Sequence, residues 1–323
     1  MKEKMVKGIG AVTAAFSIFM AFGWSFFEMM IRSKKKQKKE ARKKWFQLSH
    51  TKINHPRHKF EKEYEEGKEW CNRQKMQDCY IRSNDGLLLH ARYLPAEGAK
   101  RFVILSHGYK GSGFGDFAYT ARFLYEHQCN LLFIDQRCCG KSQGEYITFG
   151  AKEQHDVAKW AFFINKRNKK NLPIYLYGES MGAAAVLMAS GQPLPQNVRG
   201  LIADCGFCSM KKQLEDIAGN WFHLKHVNLL LLRVDLFCRI FGGFSMKEAD
   251  TTQALQNNKR PVLFFHGAKD TYVHPRNTRH NYAICTAPKE IVIVPEARHL
   301  CSAYEAPELY QKKLLEFFEK CDK

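Results

Sequence analysis

The sequence carries no RNA- or DNA-binding motif, no internal repeat and no pairing scheme among its cysteines, and each absence narrows the field. The 51 Lys and Arg against 32 Asp and Glu leave a formal charge of +19, a balance that ordinarily raises the question of nucleic acid. Here the charge is concentrated. Residues 1–44 hold twelve Lys or Arg against Glu3, Glu28 and Glu40, a net of +9, beside an apolar segment, so anionic lipid fits better as a partner than nucleic acid. The 11 cysteines are odd in number and scattered, with Cys138 and Cys139 adjacent. They make a poor disulfide framework and lean toward a reducing compartment. Cys205-Gly206-Phe207-Cys208 has redox-motif spacing but lacks the early βαβ position of a thioredoxin site, and no second pair completes a zinc site. What is present is core material: 45% apolar and 13% aromatic residues over 323 positions exclude disorder of the whole chain and allow one good-sized domain or two small ones.

Gly8 to Phe27 is uncharged and rich in Ala, Phe, Ile and Met. As a helix rising about 1.5 Å per residue it spans a bilayer's hydrocarbon thickness. Trp24-Ser25-Phe26-Phe27-Glu28 offers no small-x-small cleavage site. The expectation is an uncleaved single-pass anchor over residues 1–31. The Lys and Arg from Arg32 to Lys44 place the following chain on the cytoplasmic side. Residues 32–75 are charged and helix-prone and read as a linker, with lipid contact as an added role for their basic part.

From about residue 76 the pattern changes. Strands are expected at Cys79–Arg82, Leu87–Tyr93, Phe102–Ser106, Leu131–Asp135, Ile174–Tyr177, Leu201–Asp204, Val262–Phe265 and Ile291–Val294. The first two alternate and predict an antiparallel edge; the later ones are short apolar runs typical of buried parallel strands. Helical stretches at Phe117–His127, Ala151–Arg167, Met181–Ser190, Arg276–Ile284 and Glu305–Lys320 lie between them. The alternation predicts an α/β domain over 76–323, with a mostly parallel eight-stranded sheet covered on both faces.

Two segments match G-x-S-x-G. Nucleophilic chemistry needs the serine on a tight strand-to-helix turn, with glycines relieving the crowding. In Gly178-Glu179-Ser180-Met181-Gly182 the strand Ile174-Tyr175-Leu176-Tyr177 leads in and a small-residue helix follows. Ser142, in Gly140-Lys141-Ser142-Gln143-Gly144, lies well past its strand and before polar residues. It reads as a loop serine, and with Asp135 rather than Gly upstream the segment is no phosphate loop. Ser106-His107-Gly108-Tyr109 follows a strand at the position that supplies a backbone donor for an oxyanion, which makes the N–H groups of Tyr109 and Met181 the candidate donors. Beyond Ser180 the order required is acid, then histidine. Asp270 sits on the turn after Phe264-Phe265-His266-Gly267, and His299 on the loop after the last strand. Asp204, also at a strand end, is the runner-up acid. Asp135 reads as a turn carboxylate able to pair with Arg137, His107 as shaping its turn, and His266 as structural.

Taken together, Ser106-His107-Gly108, Asp135-Gln136-Arg137 through Gly140-Lys141-Ser142, Gly178 through Gly182, His266-Gly267 through Asp270, and His299 resemble the α/β-hydrolase superfamily, in its serine aminopeptidase and monoglyceride-lipase-like branch. The resemblance covers about residues 78–320 and departs at Cys138-Cys139, where relatives usually carry glycine or another small residue. It implies the α/β-hydrolase fold, a Ser180–His299–Asp270 triad and hydrolase chemistry that needs no metal or organic cofactor. The segment from about 206 to 258 is apolar around Trp221-Phe222-His223-Leu224, Leu229–Leu232 and Leu236-Phe237. It reads as a helical lid over an acyl pocket, or as ordinary capping helices. An ester or lipid-like acyl substrate leads. A peptidase (with Glu215, Asp216 or Asp235 binding an α-amine), an acyltransferase or thioesterase, and a silent binding module of the same fold are the alternatives.

Overall fold

Short apolar runs bounded by polar or glycine-containing turns become the strands of one sheet. A computed structural model describes residues 20–33, 56–224 and 227–322. The strands are β1 (Gln77–Arg82), β2 (Leu88–Leu94), β3 (Arg101–Ser106), β4 (Cys129–Ile134), β5 (Ile174–Glu179), β6 (Val198–Asp204), β7 (Val262–Gly267) and β8 (Lys289–Val294). Their spatial order is β1-β2-β4-β3-β5-β6-β7-β8. β2 pairs antiparallel with β1 and β4, and the remaining pairs are parallel. All eight expected strands are present, with no end moved by more than three residues.

The helices are α1 (20–30), α2 (Glu61–Arg73), α3 (Gly113–Asp116), α4 (Ala118–Glu126), α5 (Glu153–Arg167), α6 (Met181–Ala189), α7 (Met210–Phe222), α8 (Asn228–Phe237), α9 (Thr252–Asn257), α10 (Arg276–Ile284), α11 (Ser302–Glu305) and α12 (Pro307–Cys321). A 3₁₀ turn, Pro56–Phe60, leads into α2.

Every residue of β3, β4, β5 and β7 is buried, as parallel strands covered by helices on both faces must be. Side chains alternate between the faces. Ile104, Leu132, Leu176 and Phe264 meet Trp160 of α5 and Val186 of α6. Leu105, Phe133, Tyr177 and Phe265 meet Leu124 of α4 and Leu314 and Phe318 of α12. From β3 the chain steps to β4 on one side, then crosses back to β5 on the other. The strand order therefore reverses at β3, and open α/β sheets form their crevices at such reversals, beyond the strands' C-terminal ends.

A third apolar cluster lies over those ends, built from α7, α8 and α1. It corrects the expectation of a membrane anchor. Residues 8–19 of the expected span lie outside the described residues, as does the basic stretch 34–55. From residue 20 the apolar run is helix α1, and Trp24, Phe26 and Phe27 pack on protein while Phe22 stays exposed. Phe27 and Ile31 are fully buried, and the Phe27 ring lies 5.8 Å from Tyr146 and 5.9 Å from Phe237. Backbone bonds from Ile147 N–H to the Ile31 carbonyl, 2.8 Å, and from Ser33 N–H to the Glu145 carbonyl, 2.6 Å, fix its end. Among the described residues no helix is long and apolar enough to cross a membrane. The single-pass anchor, and the membrane placement drawn from it, are withdrawn: the buried residues Phe26, Phe27, Met30 and Ile31 have the protein itself as their partner.

Candidate active site

β5 ends at Glu179, and α6 begins at Met181. Between them Ser180 takes φ 54° and ψ −118°, a conformation L-residues avoid and hold only where the surroundings enforce it. The enforcement is visible on both sides. A Cβ on Gly178 would run into the Gly182 carbonyl, and one on Gly182 into the Ser106 carbonyl, so strand, turn and helix close up only with glycine at both places. The Ser180 N–H binds the Asp204 carbonyl at 2.9 Å. Strain of this kind recurs around the crevice. Lys110, Cys138, Cys205 and Leu300, each just past a strand's C-terminal end, also lie at positive φ (52°, 67°, 47° and 60°). Cys138 is the departure from the resemblance noted above, and its backbone is one glycine adopts freely.

His299, on the loop after β8, and Asp270, on the turn after β7, converge on that serine. His299 Nε2 lies 2.9 Å from Ser180 Oγ, and its Nδ1 lies 2.6 Å from Asp270 Oδ2. Asp270 Oδ1 accepts the N–H groups of Tyr272 at 2.8 Å and Val273 at 2.9 Å. Burial opposes ionisation of Asp270, yet the imidazoles of His299 and His266, by charge and hydrogen bond, hold its carboxyl well below the usual range. All three are nearly sealed: Ser180 is 4%, Asp270 3% and His299 8% exposed.

The surrounding candidates sort by their partners. Met181 opens α6, so its N–H has no carbonyl a turn earlier to bind. Tyr109 follows Gly108, whose N–H binds Asp116 Oδ2 at 2.6 Å, and its own phenol donates to the Met30 carbonyl of α1 at 2.8 Å. His107 has both nitrogens engaged: Nε2 accepts the Gln136 N–H at 3.1 Å and Nδ1 donates to the Gly108 carbonyl at 2.8 Å. Ser142 is a buried loop brace that accepts the His90 N–H at 2.8 Å and donates to the Asp135 carbonyl at 2.5 Å. Asp135 pairs with His90 at 2.7 Å rather than with Arg137, whose guanidinium goes to Asp156 at 2.8 Å and Asp85 at 2.9 Å. Asp204 accepts from Tyr310 at 3.0 Å and Ser302 at 3.3 Å, away from the His299 ring. His266 supports Asp270: its Nε2 lies 2.8 Å from the Val273 carbonyl and 3.2 Å from Asp270 Oδ2.

Cys205, Asp270 and His299 bring ligand atoms within 4.8 Å of one another. Burial pushes the Cys205 thiol well up, and Asp270 and His299 already bind each other. The arrangement suits proton transfer better than it suits a metal ion.

Known proteins share sequence and fold with this chain. A family model described as serine aminopeptidase, S33, matches residues 97–239. YqkD, an uncharacterized protein of Bacillus subtilis (strain 168), is 29% identical over 218 residues, 67% of this chain and 70% of its own. Caffeoylshikimate esterase of Arabidopsis thaliana is 29% identical over 127 residues, 38% of each chain. The esterase Pf2001 of Pyrococcus furiosus superposes with a TM-score of 0.63 at 21% identity, covering 77% of this chain and 94% of its own. The chain has the α/β-hydrolase fold. The matches support the α/β-hydrolase superfamily. In an α/β-hydrolase fold the crevice beyond β5, β7 and β8 is where the reacting groups belong.

Sequence reasoning did not reach the buried Arg57 and Glu179 or the half-buried Asp116, which form a charge cluster next to the Ser180 turn. Only Glu179 carried a signal, as the variable residue before the serine of the motif.

Proposed function

We propose that the chain is a serine hydrolase that cleaves a carboxylic ester with an apolar, lipid-like acyl group, through Ser180, His299 and Asp270 on a unit spanning residues 76–323. The hydrogen-bonded series Asp270–His299–Ser180, at 2.6 and 2.9 Å with the serine on a strained turn, carries the reading.

His299 takes the Ser180 proton on Nε2 as Oγ attacks the acyl carbon. Asp270 holds the Nδ1 proton and stabilises the imidazolium. The N–H groups of Tyr109 and Met181 receive the oxyanion. As the tetrahedral species collapses, His299 passes its proton to the departing alkoxide. Water, deprotonated by the same nitrogen, then attacks the acyl-enzyme, and the acid leaves as Ser180 recovers its proton.

The acyl preference is supported by the apolar cluster over the crevice, where Met181 packs with Phe207, Met210 and Leu214. The lid carboxylates offered for an α-amine already face cations: Glu215 lies 3.4 Å from Lys212, Asp216 binds Arg276, and Asp235 lies 2.8 Å from Arg239. That favours an ester over an aminopeptidase substrate.

The test is labelling with a fluorophosphonate probe. Wild type and Ser142→Ala should label and Ser180→Ala should not, and a p-nitrophenyl ester should turn over in parallel. Labelling that survives in folded Ser180→Ala, or a folded wild type that neither labels nor hydrolyses, overturns the assignment.

A further inference from the structure

We infer that Arg57, outside the residues expected to form the hydrolase unit, is a positioning residue that clamps the three loops carrying the nucleophile, the oxyanion donor and the base. The inference rests on the triad reading above.

Arg57 lies on the 3₁₀ turn Pro56–Phe60 and is 6% exposed. Its guanidinium reaches three separate segments, the end of β5, helix α3 and the loop after β8. Nη2 lies 3.6 Å from Glu179 Oε2, on the residue before Ser180. Nη1 donates to the Gly115 carbonyl at 3.0 Å and lies 3.7 Å from Asp116 Oδ1, while the other oxygen of Asp116 accepts the N–H of Gly108, next to Tyr109, at 2.6 Å. Nε points to the carbonyl of Leu300, the residue after His299, at 3.5 Å. The rings of Tyr64 and Tyr304 flank the cation at 5.4 and 5.9 Å.

A rigid planar fork spreads five donors over three segments several ångströms apart, a span that the compact ammonium of lysine covers less well. The electrostatics give the clamp its force. Glu179 Oε2 is buried and has no hydrogen-bond partner among the described residues, so the guanidinium is its nearest compensating charge. Burial lifts the Glu179 carboxyl well above its ordinary range, and Arg57 pulls against that shift. Without the cation, the buried Glu179 would keep only the half-buried Asp116, a like charge, as its ionisable neighbour under the serine turn. The expected relief is movement of the Ser180 and Gly108 loops apart, and misplacement on the scale of an ångström costs heavily in an acyl transfer that depends on alignment.

The experiment compares wild type, Arg57→Met and Arg57→Lys in the full chain. It reads the fluorophosphonate labelling rate, kcat and KM on a p-nitrophenyl ester, and Tm. Arg57→Met keeps the volume and removes the fork. Its kcat and labelling rate should fall at least about tenfold with KM little changed, the pattern of a loss felt in the transition state. Arg57→Lys should recover part of both. A folded Arg57→Met with wild-type kcat and labelling rate overturns the clamp while leaving the triad intact. A folded wild type that neither labels nor turns over removes the triad and the clamp together. If Arg57→Met does not fold, Arg57→Lys decides: a several-fold drop in kcat at an assay temperature below its Tm is expected, and a wild-type kcat sinks the inference.

Discussion

Phe27→Ala measures whether helix α1 belongs to the domain. The ring is fully buried, whereas Phe22, five residues earlier on the same helix, is 49% exposed. The two truncations remove the same atoms from the same helix and differ only in what the ring touches. Phe27 contacts Trp24 at 5.5 Å, Tyr146 at 5.8 Å, Phe237 at 5.9 Å and Phe241 at 6.1 Å between ring centres. Transfer of a buried phenyl group from water is worth about 1.5–3 kcal/mol. The cavity left among rings that cannot all collapse raises the cost of Phe→Ala to about 3–5 kcal/mol. The loss cannot exceed the free energy that docks α1, because a helix destabilised beyond that point simply detaches. Phe22→Ala loses little packing and gains helix propensity, so its change should stay within about 0.5 kcal/mol. Guanidinium chloride unfolding of the full chain, followed by far-UV circular dichroism, reads both. A midpoint lowered for Phe27→Ala and unmoved for Phe22→Ala is expected, with Tm falling by about 6 °C or more at about 2–4 °C per kcal/mol. Equal midpoints for the two variants would refute the docking, since the ring would then have no protein surface to lose.

Two further outcomes separate the acids. Asp270→Asn should cut kcat by about 10⁴ with KM little changed, because the amide favours the wrong imidazole tautomer; Asp204→Asn, whose partners are Tyr310 and Ser302, should leave kcat far nearer wild type, and the reverse ranking refutes the assignment. The pH profile should carry one acid ionisation. Asp270 titrates near about 3.9 in an unfolded chain and lower in the fold, so the stability its charge supplies is complete above the unfolded value and is lost only as pH falls through the folded one. The acid limb of kcat/KM should therefore keep unit slope down to about pH 4, and a slope of two there would show the acid titrating with the base.

The sheet and the crevice were legible because their signals are local. Ile174-Tyr175-Leu176-Tyr177 before Ser180 and the small residues after it mark a turn that Ser142 lacks, and chain order then singles out Asp270 and His299. The misreading of residues 20–27 has a physical root: hydropathy records that side chains leave water, not whether lipid or a second protein surface receives them. Arg57 was invisible for the opposite reason. It sits among other basic residues, and its partners at 115, 179 and 300 are brought to it only by the fold. Asp135 shows the same limit, since the neighbour two residues along, Arg137, turns away to Asp156 while the partner comes from β2.

The left-handed residues that ring the crevice, Lys110, Cys138, Ser180, Cys205 and Leu300, divide the molecule into two zones of tolerance. Each withholds about 1–3 kcal/mol from the folded state, so a library screened for heat resistance alone will enrich replacements at this rim, glycine above all, and activity will decline as the melting point climbs. The opposite rim, where the strands begin, has left-handed residues of its own, Gln128 just before β4 and Asn171 just before β5, and relieving those should leave activity unchanged. Thermostabilising changes belong there, and a survey of tolerated substitutions over the whole chain would trace the working end of the sheet without any substrate in hand.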